Sequence, residues 1–257
     1  AIATQEEAEN KAPIFILDEP FWKYLVLFFL FIFTLIFVWR YSIRPLLINK
    51  ELNKAVYWSG NNNCEVAIKK TEDLLGNNLG VMDVFTRLTY LDILGGNCLV
   101  EKNDSGKIQI YYKGLKRIKE LMILRPTYTR IWLFHVMYAD NILENDKSIT
   151  KEEKGQLGRE ALRSLEKAMA ISPKRQPILI VGAKLNFTLG KYDESKKMIQ
   201  DCIKINYDFP DCWWAKASVQ FKLKETKEAV ETIKLSIKNG FFDDKDSATK
   251  NALAELI

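Results

Sequence analysis

Sixteen consecutive uncharged residues, Tyr24–Trp39 (YLVLFFLFIFTLIFVW), constrain this 257-residue chain more than any other feature. A helix of that length reaches about 24 Å at 1.5 Å per residue, short of a hydrocarbon core of roughly 30 Å. Phe21 and Trp22 extend it if Lys23 snorkels its ammonium outward, and Phe21–Trp39 is then long enough to cross. Trp22 and Tyr24 stand at one end, Trp39 and Tyr41 at the other, as an interfacial aromatic belt requires. A cleaved signal would want a basic start and a small-residue cleavage site. The upstream stretch TQEEAEN is acidic, and WRYSIRP follows the run. A soluble core helix would carry a polar face, and only Thr34 interrupts this one. The run therefore predicts a membrane span over 21–39.

Charge predicts its orientation. Lys11 and Lys23 stand against Glu6, Glu7, Glu9, Asp18 and Glu19 on the N-terminal side, whereas Arg40, Arg44, Lys50 and Lys54 follow the span. The positive-inside rule puts the C-terminal side in the cytoplasm, with residues 1–20 outside as an acidic segment and 40–46 as a basic linker. Ala1 is not an initiator methionine, so the chain is expected to be processed or part of something longer.

The net charge of +5 forms no concentrated basic block, which argues against nucleic acid as a partner. Cys64, Cys98, Cys202 and Cys212 make no CxxC pair and His135 is the only histidine, so neither a metal site nor a Cys/His catalytic pair is expected. A cytoplasmic domain would keep these four as free thiols. No Gly-rich phosphate loop and no nucleophile–base constellation is visible. Asp243 and Asp244 suit a helix start. No cofactor is expected, and whether the chain is part of an enzyme is left open.

A 34-residue self-similarity organises the C-terminal half. Leu179, Ala183, Leu185, Phe187, Leu189, Ser195, Ile199, Cys202 and Ile203 return 34 residues later as Trp213, Ala217, Val219, Phe221, Leu223, Ala229, Ile233, Ser236 and Ile237. "LGKYDES" (Leu189–Ser195) reads as an inter-helix turn with Gly190 at its bend. In "REALRSLEKAMAISP" (Arg159–Pro173), Ala161, Leu165, Ala168 and Pro173 follow a small–large–small–proline pattern. Pro126 and Pro173 are 47 apart, as are Phe85 and Trp132, so two units are enlarged, and "TKEE" (Thr150–Glu153) predicts a capping box that lengthens a second helix. Lys107–Leu124 supplies the second helix of the preceding unit, after a loop over Gly95–Gly106. Gly114 falls at a small-residue position there. Lys113, Lys116, Arg117 and Lys119 around it read as a solvated face, with anionic lipid as an alternative ligand. Ala55, Trp58, Ala67 and Leu74 mark a first, weaker unit. The prediction is all-α: about five helix pairs over 47–243, with a last helix over 244–257 capping the array.

The period and these motifs resemble the tetratricopeptide repeat family, which implies an α-solenoid whose concave groove binds a protein or peptide. In the family's register Lys184, Trp214 and Ser218 face that groove. They depart from the basic and Asn residues of the family's two-carboxylate clamp, so capture of a free C-terminal carboxylate is not implied. The span, the "RYSIRP" stretch and the junction "RPTYTRIWL" (Arg125–Leu133) also resemble, in arrangement, the C-terminal tail of bacterial O-antigen ligase-like membrane proteins. The expected function is a membrane-tethered scaffold for protein–protein interaction on the cytoplasmic face, and the resemblance to bacterial membrane proteins implies the inner membrane. The alternative is the docking or regulatory tail of a polytopic glycan-transferring enzyme.

Overall fold

In the computed structural model, residues 19–77, 79–100 and 104–241 are described. They divide into two compact units, Ala1–Glu51 and Leu52–Ile257. The acidic segment before Glu19 and the expected capping helix over 244–257 lie outside the described residues. In the first unit, α1 (Glu19–Val38) is followed by a π-helical turn, Trp39–Ile43. It is long and apolar enough to cross a membrane. Its Phe28, Phe29, Leu30, Phe31 and Phe33 are all exposed. Thr34, the one polar side chain in the run, returns its hydroxyl to the Leu30 carbonyl at 2.8 Å.

The second unit is an array of helices: the end of α2 (Arg44–Gly60), α3 (Cys64–Leu75), α4 (Asp83–Gly95), the short α5 (Asn97–Val100), α6 (Asp104–Leu124), α7 (Thr129–Asn145), α8 (Lys151–Ile171), α9 (Gln176–Thr188), α10 (Tyr192–Ile205), α11 (Pro210–Lys222) and α12 (Thr226–Lys238). Among the described residues they form five helix pairs: α2/α3, α4/α6, α7/α8, α9/α10 and α11/α12. Most of the residues that repeat at 34 pack in the interior, although Phe221 is exposed. Leu179 and Trp213, Ala183 and Ala217, Leu185 and Val219, and Ile199 and Ile233 are all buried. The capping box forms, with Thr150 and Glu153 exchanging side chain-to-backbone hydrogen bonds. It starts a 21-residue α8 where α10 has 14, which absorbs part of the enlargement of that unit.

One turn geometry recurs. Asn62, Gly190 and Lys224 stand at equivalent places, and their φ angles are 59°, 75° and 64°. In each, the next N–H reaches back five residues: Asn63 to Trp58, Lys191 to Asn186 and Glu225 to Gln220 at 2.8–2.9 Å. This satisfies carbonyls that the ending helix leaves open. Glycine adopts the left-handed conformation freely; lysine does so against its Cβ, at about 1 kcal/mol or more. Lys224→Gly should therefore raise stability by about 1 kcal/mol, read as a higher urea midpoint at unchanged slope. No gain would mean that Lys224 is not strained there.

Three sequence expectations change. The four cysteines are not free: Cys64 pairs with Cys98 and Cys202 with Cys212. Cys98 is also fully buried. The basic face of α6 is not merely solvated, because Lys113 pairs with Glu72, Arg117 with Glu120 and Lys119 with Glu160. Two of these pairs tie α6 to the helices on either side. The stretch expected as a loop over Gly95–Gly106 contains α5.

His135 is buried on α7 and shares a 3.0 Å hydrogen bond with Ser164. Burial and the nearby Lys119 push its imidazole down to about 4. A depressed histidine is neutral in the folded state, so its contribution is fully present above pH 6.5 and is lost as pH falls towards 4. Complete protonation against that shift would cost about 3 kcal/mol. Urea melts between pH 6.5 and 5 should show falling stability in the wild type and a flatter profile in His135→Gln. Parallel profiles would place the lost stability on other groups.

Candidate functional site

The first helices of the last three pairs, α7, α9 and α11, follow one another in a single register. Two layers of equivalent positions come together: Leu133, Ile180 and Trp214 in one, Met137, Lys184 and Ser218 in the other. All six line one groove of about 630 Å³. The three residues expected from sequence, Lys184, Trp214 and Ser218, therefore share one surface. Leu133, Met137 and Ile180 were not singled out, although the same register carried back by 34 and 47 residues reaches them. Phe187 and Pro177 complete an apolar lining. Pro177 lies in the first turn of α9, where a missing N–H costs nothing.

The two lysines at the groove edge are already paired. Lys184 Nζ lies 3.2 Å from Asp140 Oδ2 and 3.3 Å from Glu144 Oε2, and donates to Asn141 Oδ1 at 3.4 Å. Lys222 Nζ reaches Glu144 Oε1 at 2.7 Å and lies 5.5 Å above the centre of the Phe187 ring. Burial alone would lower the Lys184 ammonium, but Asp140 and Glu144 outweigh it and hold it above its ordinary value. Burial works against the Glu144 carboxylate as well, and Lys222 and Lys184 hold it below the usual range. Burial raises Asp140, against the pull of Lys184. These contacts run from α7 to α9 and from α7 to α11, across three successive helix pairs. Lys184 is thus committed to holding the array in register, and its side chain enters the groove mainly as an aliphatic stem.

The two adjacent tryptophans differ. Trp213 is buried: its indole N–H donates to the Tyr207 carbonyl at 2.8 Å and its ring packs with Tyr207 and Phe241. Trp132, its equivalent on α7, makes the same bond to Pro126 at 2.8 Å. Trp214 is half-buried and lines the groove. A second cleft of about 360 Å³ lies between α10, α11 and the turn before α12, where Lys196 is paired with Glu225. It lacks the repeated layers of the first. Among the described residues, no group of three or more His, Cys, Asp or Glu side chains could hold a metal ion. A concave, mostly apolar surface whose lysines are neutralised and whose rim carries the exposed Asp211 offers binding chiefly by shape and burial.

Residues 183–209 match the tetratricopeptide repeat family. The array is similar to the crystal structure of TTC0263, a thermophilic tetratricopeptide repeat protein of Thermus thermophilus, at 15% identity and a TM-score of 0.64, over 81% of this chain and 98% of that one. It is also similar to a MamA RS-1 double mutant, at 12% identity and a TM-score of 0.50, over 79% of this chain and 98% of that one. At these identities the likeness shows the fold: an all-α, tetratricopeptide-like helical repeat. No curated protein sequence matches the chain. None of these similarities concerns O-antigen ligases.

Proposed function

We propose that this chain is a membrane-tethered scaffold that holds a segment of another protein in the groove of α7, α9 and α11. The observation that carries the reading is the pair of repeated layers, Leu133/Ile180/Trp214 and Met137/Lys184/Ser218, lining one groove of about 630 Å³. A solenoid exposes such a surface because each pair buries its apolar face only against its neighbours. The partner that fits is a peptide segment with a bulky apolar side chain as anchor. Trp214 is a suitable counterpart, since tryptophans are frequent interface hot spots. Because Lys184 and Lys222 are neutralised by Asp140 and Glu144, charge is not the main attraction. The tether is α1, whose exposed aromatic and aliphatic surface suits lipid.

A peptide-display selection against the full chain in detergent tests the reading. Sequences with one or two large apolar residues should be enriched, and Trp214→Ala should weaken the selected peptides by about thirtyfold, the equivalent of roughly 2 kcal/mol. Enrichment of acidic peptides without an apolar anchor, or binding indifferent to Trp214→Ala, would contradict it.

A further inference from the structure

We infer that the repeat array works in an oxidising compartment, stapled by Cys64–Cys98 and Cys202–Cys212. All four cysteines of the chain meet a partner. The Cα atoms are 5.3 and 5.9 Å apart, within the window that a disulfide bridges without backbone movement. Cys64 opens α3 in the first helix pair, and Cys98 lies in α5, between the two helices of the second. Cys202 lies in the last turn of α10 and Cys212 in the first turn of α11, so this bond joins the fourth pair to the fifth. Each bond crosses a boundary between consecutive pairs, where the array is otherwise held by packing and by ion pairs such as Lys113–Glu72 and Lys196–Glu225. The second bond also fixes the first turn of α11, two residues before Trp214 in the groove wall.

Buried cysteines often serve as small hydrophobes, and all four here are buried. Filling core gaps does not require them to meet in pairs, which here they do twice. Such pairs persist on oxidising sides of membranes and are rare where thiol buffers keep cysteines reduced. The basic residues after α1 bias the array the other way. That bias is weak for a following domain of about 200 residues, because long domains translocate largely regardless of charge. Formation balances by exchange. One thiolate attacks a sulfur of a protein or small-molecule disulfide. The second thiolate then attacks the chain's own sulfur in the mixed disulfide and expels the oxidant, which leaves reduced, as a protein dithiol or as two small thiols, carrying the two electrons and two protons.

The inference does not depend on what the groove binds, and it uses the tether only for sidedness. Cells making the full chain are quenched in acid, denatured without reductant, alkylated with N-ethylmaleimide and digested. Mass spectrometry should find peptides linked through 64–98 and 202–212 and almost no alkylated cysteine. Protease added outside wall-stripped cells should digest the array. In detergent, dithiothreitol should lower Tm by roughly 10 °C. It should leave a variant carrying Cys64→Ser, Cys98→Ser, Cys202→Ser and Cys212→Ser unchanged. Four alkylated cysteines, an array protected from protease in the wall-stripped cells, or a Tm indifferent to dithiothreitol would each overturn the inference.

Discussion

Gly114→Ala is expected to destabilise the array by about 3 kcal/mol, although alanine is the better helix former by about 1 kcal/mol. A Cβ at position 114 would lie 2.6 Å from Tyr138 Cδ1 and 2.9 Å from Cζ, with Cε1 closer still. The ring cannot easily swing aside. Tyr138 is buried, its hydroxyl donates to the Leu91 carbonyl at 2.7 Å, and it packs edge-on to Tyr111. The register explains the glycine. Position 114 corresponds to Ala161, Ser195 and Ala229 in later units, and Tyr138 to Leu185 and Val219. Where the facing residue is a tyrosine, even a methyl is too large. Tyr138→Leu in the same chain should therefore recover much of the loss, a coupling visible in a double-mutant cycle of urea melts. Gly182→Ala serves as the control. There the Cβ meets the ends of Met198 and Leu165, which are flexible and can give way, so the cost should be clearly smaller. A Gly114→Ala variant as stable as the wild type would place Tyr138 elsewhere.

Trp213→Ala and Trp214→Ala should separate stability from binding. Loss of the buried Trp213 removes its hydrogen bond to Tyr207 and its packing with Phe241, and should cost about 3–5 kcal/mol. Trp214 is about 100° further round α11 and half-buried. Its loss should cost clearly less stability while removing most of the peptide affinity. Urea melts and peptide titrations on both variants distinguish the two roles. Equal, large losses of stability would make Trp214 part of the core and remove it from the groove.

The helix pairs were legible because the repeat constrains the same positions each time. Ala183 and Ala217 must both be small, and Ile199 and Ile233 must both fill the interior. The groove was half legible for the same reason. Trp214, Lys184 and Ser218 follow from the 34-residue register, and applying it to α7 and α9 reaches Leu133, Met137 and Ile180. What sequence did not give were contacts with no local pattern. Lys184 meets Asp140 and Glu144 across 44 and 40 residues, so a residue that reads as a free groove lysine is bound within the array. The cysteine pairs are set by how consecutive helix pairs stack, and spacings of 34 and 10 do not announce a bond. The left-handed turn was visible at Gly190. Asn62 is a type that tolerates that conformation, whereas at Lys224 residue type hid it and only register could have found it.

The most direct test of the central claim is a photo-cross-linking amino acid placed at position 218, on the α11 wall of the groove, in the full chain. With a selected apolar-anchored peptide, cross-links should form at 218, disappear on competition with unlabelled peptide, and be lost in Trp214→Ala at temperatures where that variant is folded. Cross-links equally strong from an exposed site on α8, such as position 159, or undiminished by Trp214→Ala, would show that the groove of α7, α9 and α11 is not where the partner sits.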